Sequence, residues 1–450
     1  MKIQRSLSAI ISLLLALSLV SLGNIVVAQD DDQEQSRFAN AQTTKVKALS
    51  AATAKKLEPA RNFLAPDPNL NPAPKPDPRA AIRALEKIRT NDLPGHERAE
   101  IWNLYGYSYF LLEDEIKALE FYERVVNEPE ANGPLRNRTL KTVGQLYIVQ
   151  ENWSQALKFY KQWAALQLII GPDDHALFSQ IYYNLDDLNN SLSSIETAIA
   201  VREDKGAIGK ENWYAIQRSI YFTRGDYRKV ISILKKLIVN YPNVKYWREL
   251  GGMYSELEDG KKQMASFAVA YVQNGLTSES QIVGLAYLYI GADAPYKGAE
   301  ILVDAMNDDL VEKTEKNLQL VGSAYFQANE YTKALPYMEQ AASKSKDGES
   351  HGRLAGVYLD LERYDESIRA GREALRRGGL KQKHLVQLGL GTALFNTKQY
   401  DEAIRVMRQV KGEGEDSAKD WIKYINSEKK REKQLREAGI DLDKILSANN

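Results

Sequence analysis

The sequence predicts an all-α fold, a right-handed solenoid of about nine to ten helix pairs with a C-terminal capping helix. One observation is a helix-pair pattern that recurs nine times between about residues 99 and 411, in copies about 32 to 38 residues apart. A second is that the copies keep a small residue, a tyrosine and a polar turn in phase. A third is that no stretch alternates apolar and polar residues as a strand does. Such helix pairs bury their apolar faces by stacking on further copies.

The reference copy is the run Trp247-Arg248-Glu249-Leu250-Gly251-Gly252-Met253-Tyr254, which Phe267 follows on a second helix. Its first helix matches W-x2-L-G-x2-Y, the signature of the tetratricopeptide repeat, whose period is about 34 residues. Gly251 leaves out a side chain where the second helix crosses closely, and Leu250 and Tyr254 fill the groove between the helices. The predicted solenoid is therefore of the tetratricopeptide type.

The composition excludes several classes of protein. The chain has 60 Lys and Arg residues against 60 Asp and Glu residues, so its charge gives no basis for binding nucleic acid or an anionic membrane. It has no cysteine, which excludes disulfides, thiolate metal sites, a cysteine nucleophile and a lipid-modified cysteine anchor. At 450 residues the chain is too long for one ordinary core, which favours several domains or one solenoid.

The N-terminus has the features of a secretory signal peptide. Lys2 and Arg5 form a basic start, residues 9–22 are an apolar run, and Val26-Val27-Ala28 is a small-residue cleavage site. We expect cleavage after Ala28 and a periplasmic mature protein without a transmembrane span. An uncleaved membrane anchor is the alternative, although the apolar run is short for a span. Residues 29–42 are polar and are predicted to be disordered.

Residues 43–98 are interpreted as an N-terminal helix pair. The six prolines from Pro66 to Pro78 predict a stiff, extended insertion, 66–78, in the turn of that pair. A tethered helix followed by a linker is an equally open alternative. The predicted helices and their apolar positions are 43–64, with Val46, Leu49, Ala52, Leu57, Ala60 and Leu64, and 79–89, with Ala81, Leu85 and Ile88.

Nine repeats are predicted over residues 99–411. Most of them share the small residue on the first helix and the tyrosine three residues later, and they share the apolar stripe of the second helix. Several also share a turn in which a polar residue precedes tyrosine, as in Gly225-Asp226-Tyr227 and Asn329-Glu330-Tyr331. The first and second helices of the copies centre on 102–109 and 118–125, 140–147 and 156–163, 178–182 and 191–198, 214–221 and 230–237, 247–254 and 267–270, 282–289 and 298–305, 318–325 and 334–341, 354–358 and 367–374, and 390–394 and 403–410.

Residues 412–450 are predicted to form a capping helix and a tail. A helix over 416–437 places Trp421, Tyr424 and Ile425 on one face and the run Lys429-Lys430-Arg431-Glu432-Lys433 on the other. The apolar face is expected to cover the last repeat, because a solenoid end otherwise exposes its core. Glu428 and Glu432 interrupt the basic run, which favours a solvated face over a nucleic-acid or lipid patch.

Several stretches of the solenoid are more specific than the general repeat pattern. They are Lys210-Glu211-Asn212-Trp213, the run from Lys245 to Tyr254, Ala270-Tyr271-Val272, Ala286-Tyr287-Leu288-Tyr289, Pro295-Tyr296-Lys297, Lys316-Asn317-Leu318 and Gly378-Gly379-Leu380-Lys381. Together they resemble the exported tetratricopeptide proteins encoded beside TonB–ExbB–ExbD energy-transduction systems in gamma-proteobacteria, and the resemblance covers most of 99–410. It implies a periplasmic accessory role in TonB-dependent uptake of iron complexes, and it implies no catalytic residues.

The sequence lacks the patterns of common catalytic and metal sites. His96, His175, His351 and His384 fall in different repeats and form neither an i, i+4 pair nor an HExxH motif. Acidic pairs such as Asp173-Asp174 are typical of helix starts, where carboxylates cap backbone N–H groups. We therefore predict no enzymatic activity, no metal site and no cofactor.

The remaining candidate site is the concave face, which first helices line in a stack of this type. Its positions follow the Trp, small and Tyr positions of each copy by one residue. Aromatic side chains among amide and basic groups suit an extended or helical peptide, although Tyr107, Tyr287 and Phe326 could instead pack between repeats. The candidate peptide-binding residues are Asn103, Tyr107, Phe110, Lys141, Gln145, Arg248, Ser255, Tyr287, Gln319, Ser323 and Phe326.

The function expected from the sequence is a non-enzymatic periplasmic scaffold for protein–protein interaction. The resemblance implies a TonB, ExbB or ExbD partner and a role in iron or siderophore uptake. A scaffold for envelope biogenesis, acting in outer-membrane or cell-wall assembly, is the alternative. An enzyme or sugar-binding protein that uses the inner groove is a third class, which no residue pattern favours.

Overall fold

The structure, a computed structural model, describes residues 46–67, 69 and 75–438. This part of the chain holds 21 α-helices and one 3₁₀ turn, which confirms the predicted all-α solenoid of tetratricopeptide type. The predicted signal peptide and polar segment 29–42 lie outside the described residues. The chain divides into two compact units, Met1–Lys229 and Val230–Asn450, and each unit is described by itself.

The first unit contains four helix hairpins followed by one further helix. Its elements are α1 (Ala51–Leu64), α2 (Pro78–Leu85), a 3₁₀ turn (Thr90–Asp92), α3 (Gly95–Leu111), α4 (Glu115–Asn127), α5 (Gly133–Val149), α6 (Trp153–Ala164), α7 (Pro172–Asn184), α8 (Leu188–Glu203) and α9 (Glu211–Thr223).

Helix α10 (Tyr227–Asn240) starts just before the division, and the second unit then contains five hairpins and a terminal helix. These are α11 (Val244–Glu256), α12 (Gly260–Val272), α13 (Glu279–Gly291), α14 (Pro295–Asn307), α15 (Glu315–Gln327), α16 (Tyr331–Lys344), α17 (Glu349–Asp360), α18 (Tyr364–Arg377), α19 (Lys383–Asn396), α20 (Tyr400–Met407) and α21 (Glu415–Glu437).

The small residue of the repeat lies where the first helix crosses its partner. A Cβ atom built on Gly144 would lie 2.5 Å from the ring of Tyr160, and one on Gly251 would lie 2.6 Å from the ring of Phe267. Real Cβ atoms do not approach that closely, so the steric reason predicted for the glycine is confirmed. The same crossing pairs Gly106 with Tyr122, Gly322 with Met338 and Gly391 with Met407.

The turn inside each repeat uses one backbone conformation. The residue seven positions after the small position, which holds Arg218 in the fourth repeat, has φ between 55° and 71° in all nine repeats, and it is glycine only at Gly225. The next N–H then donates to the carbonyl oxygen of the Tyr-position residue at 2.8 to 3.0 Å, which satisfies the end of the first helix. The residues with this left-handed φ are Glu113, Glu151, Asp186, Gly225, Glu258, Asp293, Asn329, Glu362 and Lys398.

The N-terminal helix is shorter than the sequence predicted. Helix α1 begins at Ala51, and residues 46–50 are not helical. The backbone of Lys47 instead exchanges two hydrogen bonds with the side chain of Asn132, at 2.9 and 3.0 Å. Val46 was predicted in the apolar stripe and is exposed, because this long-range anchoring draws residues 46–50 away from the helical path. Ala52 was also predicted in the stripe, but it lies in α1 on an exposed face.

Helices α1 and α2 share an apolar cluster with α3. Leu57, Ala60, Ala81 and Leu85 are fully buried in it. Helix α2 begins at Pro78, one residue before the predicted start, with Asp77 as its N-cap. Proline suits the first helical position, since its missing N–H would have no helical partner there.

A buried carboxylate of α3 joins the first helices. Glu97, only 3% exposed, accepts the N–H of Ser50 and the hydroxyl of Thr53, both at 2.6 Å. Burial acts to raise the pKa of Glu97, but hydrogen bonds from Thr53 and Ser50 outweigh it and hold the pKa below its usual value. The ionised carboxylate is therefore the form that stabilises the folded first unit.

Replacing Glu97 by glutamine is expected to lower the free energy of unfolding by about 1 kcal/mol at pH 7. The glutamine NH₂ group would face the Ser50 N–H or the Thr53 hydroxyl, which are hydrogen-bond donors themselves, so one hydrogen bond would be lost. Since the folded pKa is depressed, the wild-type advantage is full above the unfolded pKa of about 4.3 and fades as pH falls through the folded pKa. Urea unfolding of both proteins between pH 7 and pH 3 measures the difference. A difference that does not shrink on acidification would contradict this role for Glu97.

The terminal helix α21 covers the last hairpin. Ile425 is fully buried in an apolar cluster with Leu390, Leu394 and Ile404 of α19 and α20. On its other side, the basic run predicted to be solvated is exposed and paired with acids, for example Lys429 with Asp401. No helix of the described residues is long and apolar enough to cross a bilayer.

Candidate functional site

The predicted site residues of the first unit lie on α3 and α5 and are half-buried. Phe110 packs against an apolar cluster of the neighbouring repeats. Lys141 is already engaged, since its Nζ lies 2.6 Å from Asp174 Oδ1 and 4.4 Å from the ring centroid of Trp163. Gln145 bonds the Tyr160 hydroxyl, and Asn103 is partly exposed. Lys141 therefore links its repeat to the next one. Gln145 contacts the second helix of its own repeat. Sequence spacing did not reveal either contact.

The polar candidates of the second unit differ in how many hydrogen bonds their side chains already form within the protein. An Nη of Arg248 donates to the carbonyl oxygen of Gly275 at 3.2 Å, so part of its guanidinium holds a loop. Gln319 Nε2 donates to Ser323 Oγ at 3.2 Å, whereas Gln319 Oε1 is buried without a hydrogen-bond partner among the described residues. Ser255 is exposed at the end of α11. Gln319 and Ser323 are thus oriented by each other.

The three large aromatic candidates separate into two groups. Tyr107 and Phe326 pack against apolar clusters of their own units, and the ring of Phe326 lies 5.3 Å from that of Tyr331. Tyr287 is 48% exposed. The packing alternative therefore describes Tyr107 and Phe326, and Tyr287 is the aromatic residue that stays open to a ligand.

Tyr287 borders a groove of about 380 Å³ between α12 and α13. A Cβ atom added at Gly284, one turn before Tyr287, would meet nothing within 4 Å, and the same holds at Gly252 on α11. Of the two glycines, Gly284 lines the groove, and its missing side chain leaves space beside Tyr287. The groove is lined by Gln263, Phe267, Ser280, Gln281, Gly284, Tyr287 and Leu288.

The groove lining carries amides, hydroxyls and apolar groups but no Asp, Glu, Lys, Arg or His side chain. Amide and hydroxyl groups match the donors and acceptors of a polypeptide backbone, and the tyrosine ring offers a flat apolar surface. The lining holds no pair of groups suited to acid–base or nucleophilic chemistry. The arrangement can bind an uncharged, extended segment, and it offers no means of reacting with one.

Sequence reasoning missed the residues that complete this groove. Gln263 and Phe267 come from the second helix α12, whereas all the predicted candidates lay on first helices. Gly284 stands three residues before Tyr287, so the two residues share one helix face. This spacing of a glycine and a tyrosine was the sequence signal that could have indicated the groove. In the part of the chain that the structure describes, no three His, Asp or Glu residues are placed to hold a metal ion.

Family models describe parts of the chain as tetratricopeptide repeats. One matches residues 321–381 and 353–418, and another matches residues 99–132. The chain thus contains tetratricopeptide repeats in both units, and no catalytic family is indicated. This repeat is typical of scaffolds that bind other proteins, which agrees with the interaction role expected from the sequence.

Solved structures with related helical arrays are distant in sequence. A tetratricopeptide repeat protein from Parabacteroides merdae is 15% identical, with coverage of 55% of this chain and 93% of that one and a TM-score of 0.34. The MamA protein is 16% identical, with coverage of 37% and 88% and a TM-score of 0.32. The TPR2AB-domain:pHSP90 complex of yeast Sti1 is 13% identical, with coverage of 57% and 98% and a TM-score of 0.28. No curated protein matches the sequence.

Proposed function

We propose that the protein is a non-enzymatic scaffold that binds an extended segment of a partner protein in the groove beside Tyr287. The observation that carries the proposal is the 48% exposure of this large aromatic side chain on a first helix. Aromatic side chains such as tyrosine supply much of the binding energy of an interface once a partner buries them. Gly284, which lines the same groove, leaves room for that partner.

We further propose that the partner belongs to a TonB–ExbB–ExbD system and that the protein acts in the periplasm. The support is the predicted signal peptide, with cleavage after Ala28, and the resemblance carried by stretches such as Ala286-Tyr287-Leu288-Tyr289. That stretch contains the exposed tyrosine of the groove. Envelope biogenesis, in outer-membrane or cell-wall assembly, is the second candidate, and it shares the predicted export.

The test is crosslinking in cells from a photoreactive residue at Gln281, which lines the groove, followed by mass spectrometry. We expect TonB, ExbB or ExbD among the products, and weaker growth on iron complexes when the gene is deleted. Crosslinks to outer-membrane assembly or cell-wall proteins would overturn the TonB proposal and support the second candidate. Crosslinks from an exposed position on α21, such as Lys430, control for random encounters.

Replacing Tyr287 by alanine is expected to weaken binding of the identified partner by about 2 kcal/mol, roughly 30-fold, as for an aromatic hot spot. The stability of the protein should stay within about 0.5 kcal/mol of wild type, since the side chain is largely exposed. Tyr424→Ala is the matched control, because Tyr424 is 51% exposed on the terminal helix. If Tyr287→Ala bound the partner as tightly as Tyr424→Ala does, the groove would not be part of the binding surface.

A further inference from the structure

Three repeats share a hydrogen bond between the tyrosine of the first helix and the preceding second helix. Tyr147 donates to Glu123, Tyr221 to Glu196 and Tyr358 to Glu339, each at 2.5 Å. Each glutamate stands five residues after the small residue that opens the stripe of its helix, namely Ala118, Ser191 and Ala334. Three of the repeats thus use this position for a carboxylate that accepts a phenolic hydroxyl.

In the repeat of α15 this carboxylate is missing. The position five residues after Gly298 on α14 is Val303, and the hydroxyl of Tyr325 has no hydrogen-bond partner among the described residues. A partly open cavity of about 370 Å³ lies there instead, between α14 and α16 and over α15. Its apolar walls include Val303, Met306, Leu318 and Pro336. The cavity occupies the place that the glutamate side chain takes in the other three repeats.

The polar groups around this cavity are ammonium, hydroxyl and amide groups, all of which can donate a hydrogen bond. In the described part of the chain, Lys313 forms no ion pair, and the side chains of Tyr337, Asn307 and Gln340 form no hydrogen bond, although all four line the cavity. No Asp or Glu side chain lines it. A burial-raised pKa keeps Tyr325 protonated and able to donate. The lining is therefore suited to an anion with an apolar body.

Lys333 adds a second positive charge at the cavity wall. Its Nζ donates to the Tyr296 hydroxyl at 2.7 Å and lies 4.0 Å from Glu330. The nearby Glu300 is paired with Lys297 at 3.4 Å. Both acids lie outside the lining. Glu330 partly offsets the charge of Lys333, whereas Lys313 has no ion-pair partner in the part of the chain that the structure describes.

We propose that this cavity binds the carboxylate of an aliphatic acid, which accepts hydrogen bonds from Tyr325 and Tyr337 while Lys313 balances its charge. The ligand carboxylate takes the role that Glu123, Glu196 and Glu339 have in the three repeats described above. The acid is either a free small molecule or the side chain of a glutamate in a peptide, since both present the same group. The site lies on the second-helix side of the repeat and does not depend on the groove beside Tyr287.

The test uses hexanoate, hexanamide and the capped peptide acetyl-Leu-Glu-Leu-amide as probes in ligand-observed NMR with the mature protein. We expect hexanoate or the peptide to bind with Kd on the order of 1 mM and hexanamide to bind at least about tenfold more weakly. Binding of hexanoate alone assigns the site to free acids, and binding of the peptide alone assigns it to acidic peptides. Equal binding of acid and amide, or no binding of either acid, would overturn the proposal.

Two variants place the binding at this cavity. Val303→Glu restores the internal carboxylate, so we expect it to lower affinity for the acid at least about tenfold. Tyr325→Phe removes one donor without filling the space and should lower affinity several-fold. Lys344→Gln removes an exposed charge from α16 outside the cavity and is the control, with affinity unchanged. Circular dichroism confirms folding, and a folded Val303→Glu variant that binds the acid as wild type does would refute the site.

Discussion

Gly144→Ala is expected to destabilise the first unit by about 1 to 3 kcal/mol, the usual cost of forcing atoms into a packed core. The added Cβ would lie 2.5 Å from the ring of Tyr160, which is fully buried. That ring cannot move aside easily, because Trp163 and Phe178 lie 5.4 and 5.3 Å from it. Helix propensity would favour alanine by up to about 1 kcal/mol, so the steric term has to exceed that gain.

Urea unfolding followed by circular dichroism measures the effect, with the midpoint as the primary quantity because repeat arrays can unfold in more than one step. Gly252→Ala is the matched control, since a Cβ there meets nothing within 4 Å. The control variant should unfold at a higher urea concentration, because its free energy of unfolding should rise by about 0.5 to 1 kcal/mol. A Gly144→Ala variant as stable as the control would show that the crossing does not need glycine.

The repeat register could be predicted because its reasons are local. The small residue and the turn act within one hairpin, and the tyrosine stands at a fixed spacing from both, so one sequence pattern is enough to place all three. The backbone of the turn was harder to foresee. The left-handed position holds glutamate at Glu113, Glu151, Glu258 and Glu362, a residue that rarely adopts positive φ. Its conformation follows from the hydrogen bond that closes the first helix rather than from residue preference.

Features set by distant residues could not be predicted in this way. Residues 46–50 have a helical composition, yet Glu97 and Asn132 bind their backbone in a non-helical path. The candidate site shows the same limit, since Tyr107, Tyr287 and Phe326 occupy equivalent kinds of position in the sequence. Only the packing of neighbouring helices shows that Tyr287 alone among the three is largely exposed.

Ile425→Ala is expected to destabilise the second unit by about 2 to 5 kcal/mol, as for other large-to-small changes at fully buried sites. Ile425 is 0% exposed on the last described helix, and it covers Leu394 and Ile404 of the final hairpin. No further repeat stands between α21 and the end of the described residues. Loosening α21 therefore exposes apolar side chains that no other described element covers, and the loss spreads inward through nearest neighbours.

Hydrogen exchange read by mass spectrometry gives the sharpest test of Ile425→Ala. We expect faster exchange in α19, α20 and α21, with little change in α13 and α14, because each repeat of a solenoid contacts only its neighbours. Lys430→Ala, at an exposed position of the same helix, should stay within about 0.5 kcal/mol of wild type. If exchange rose equally across the second unit, the helices would unfold as one block, and α21 would stabilise the whole unit rather than its last hairpin.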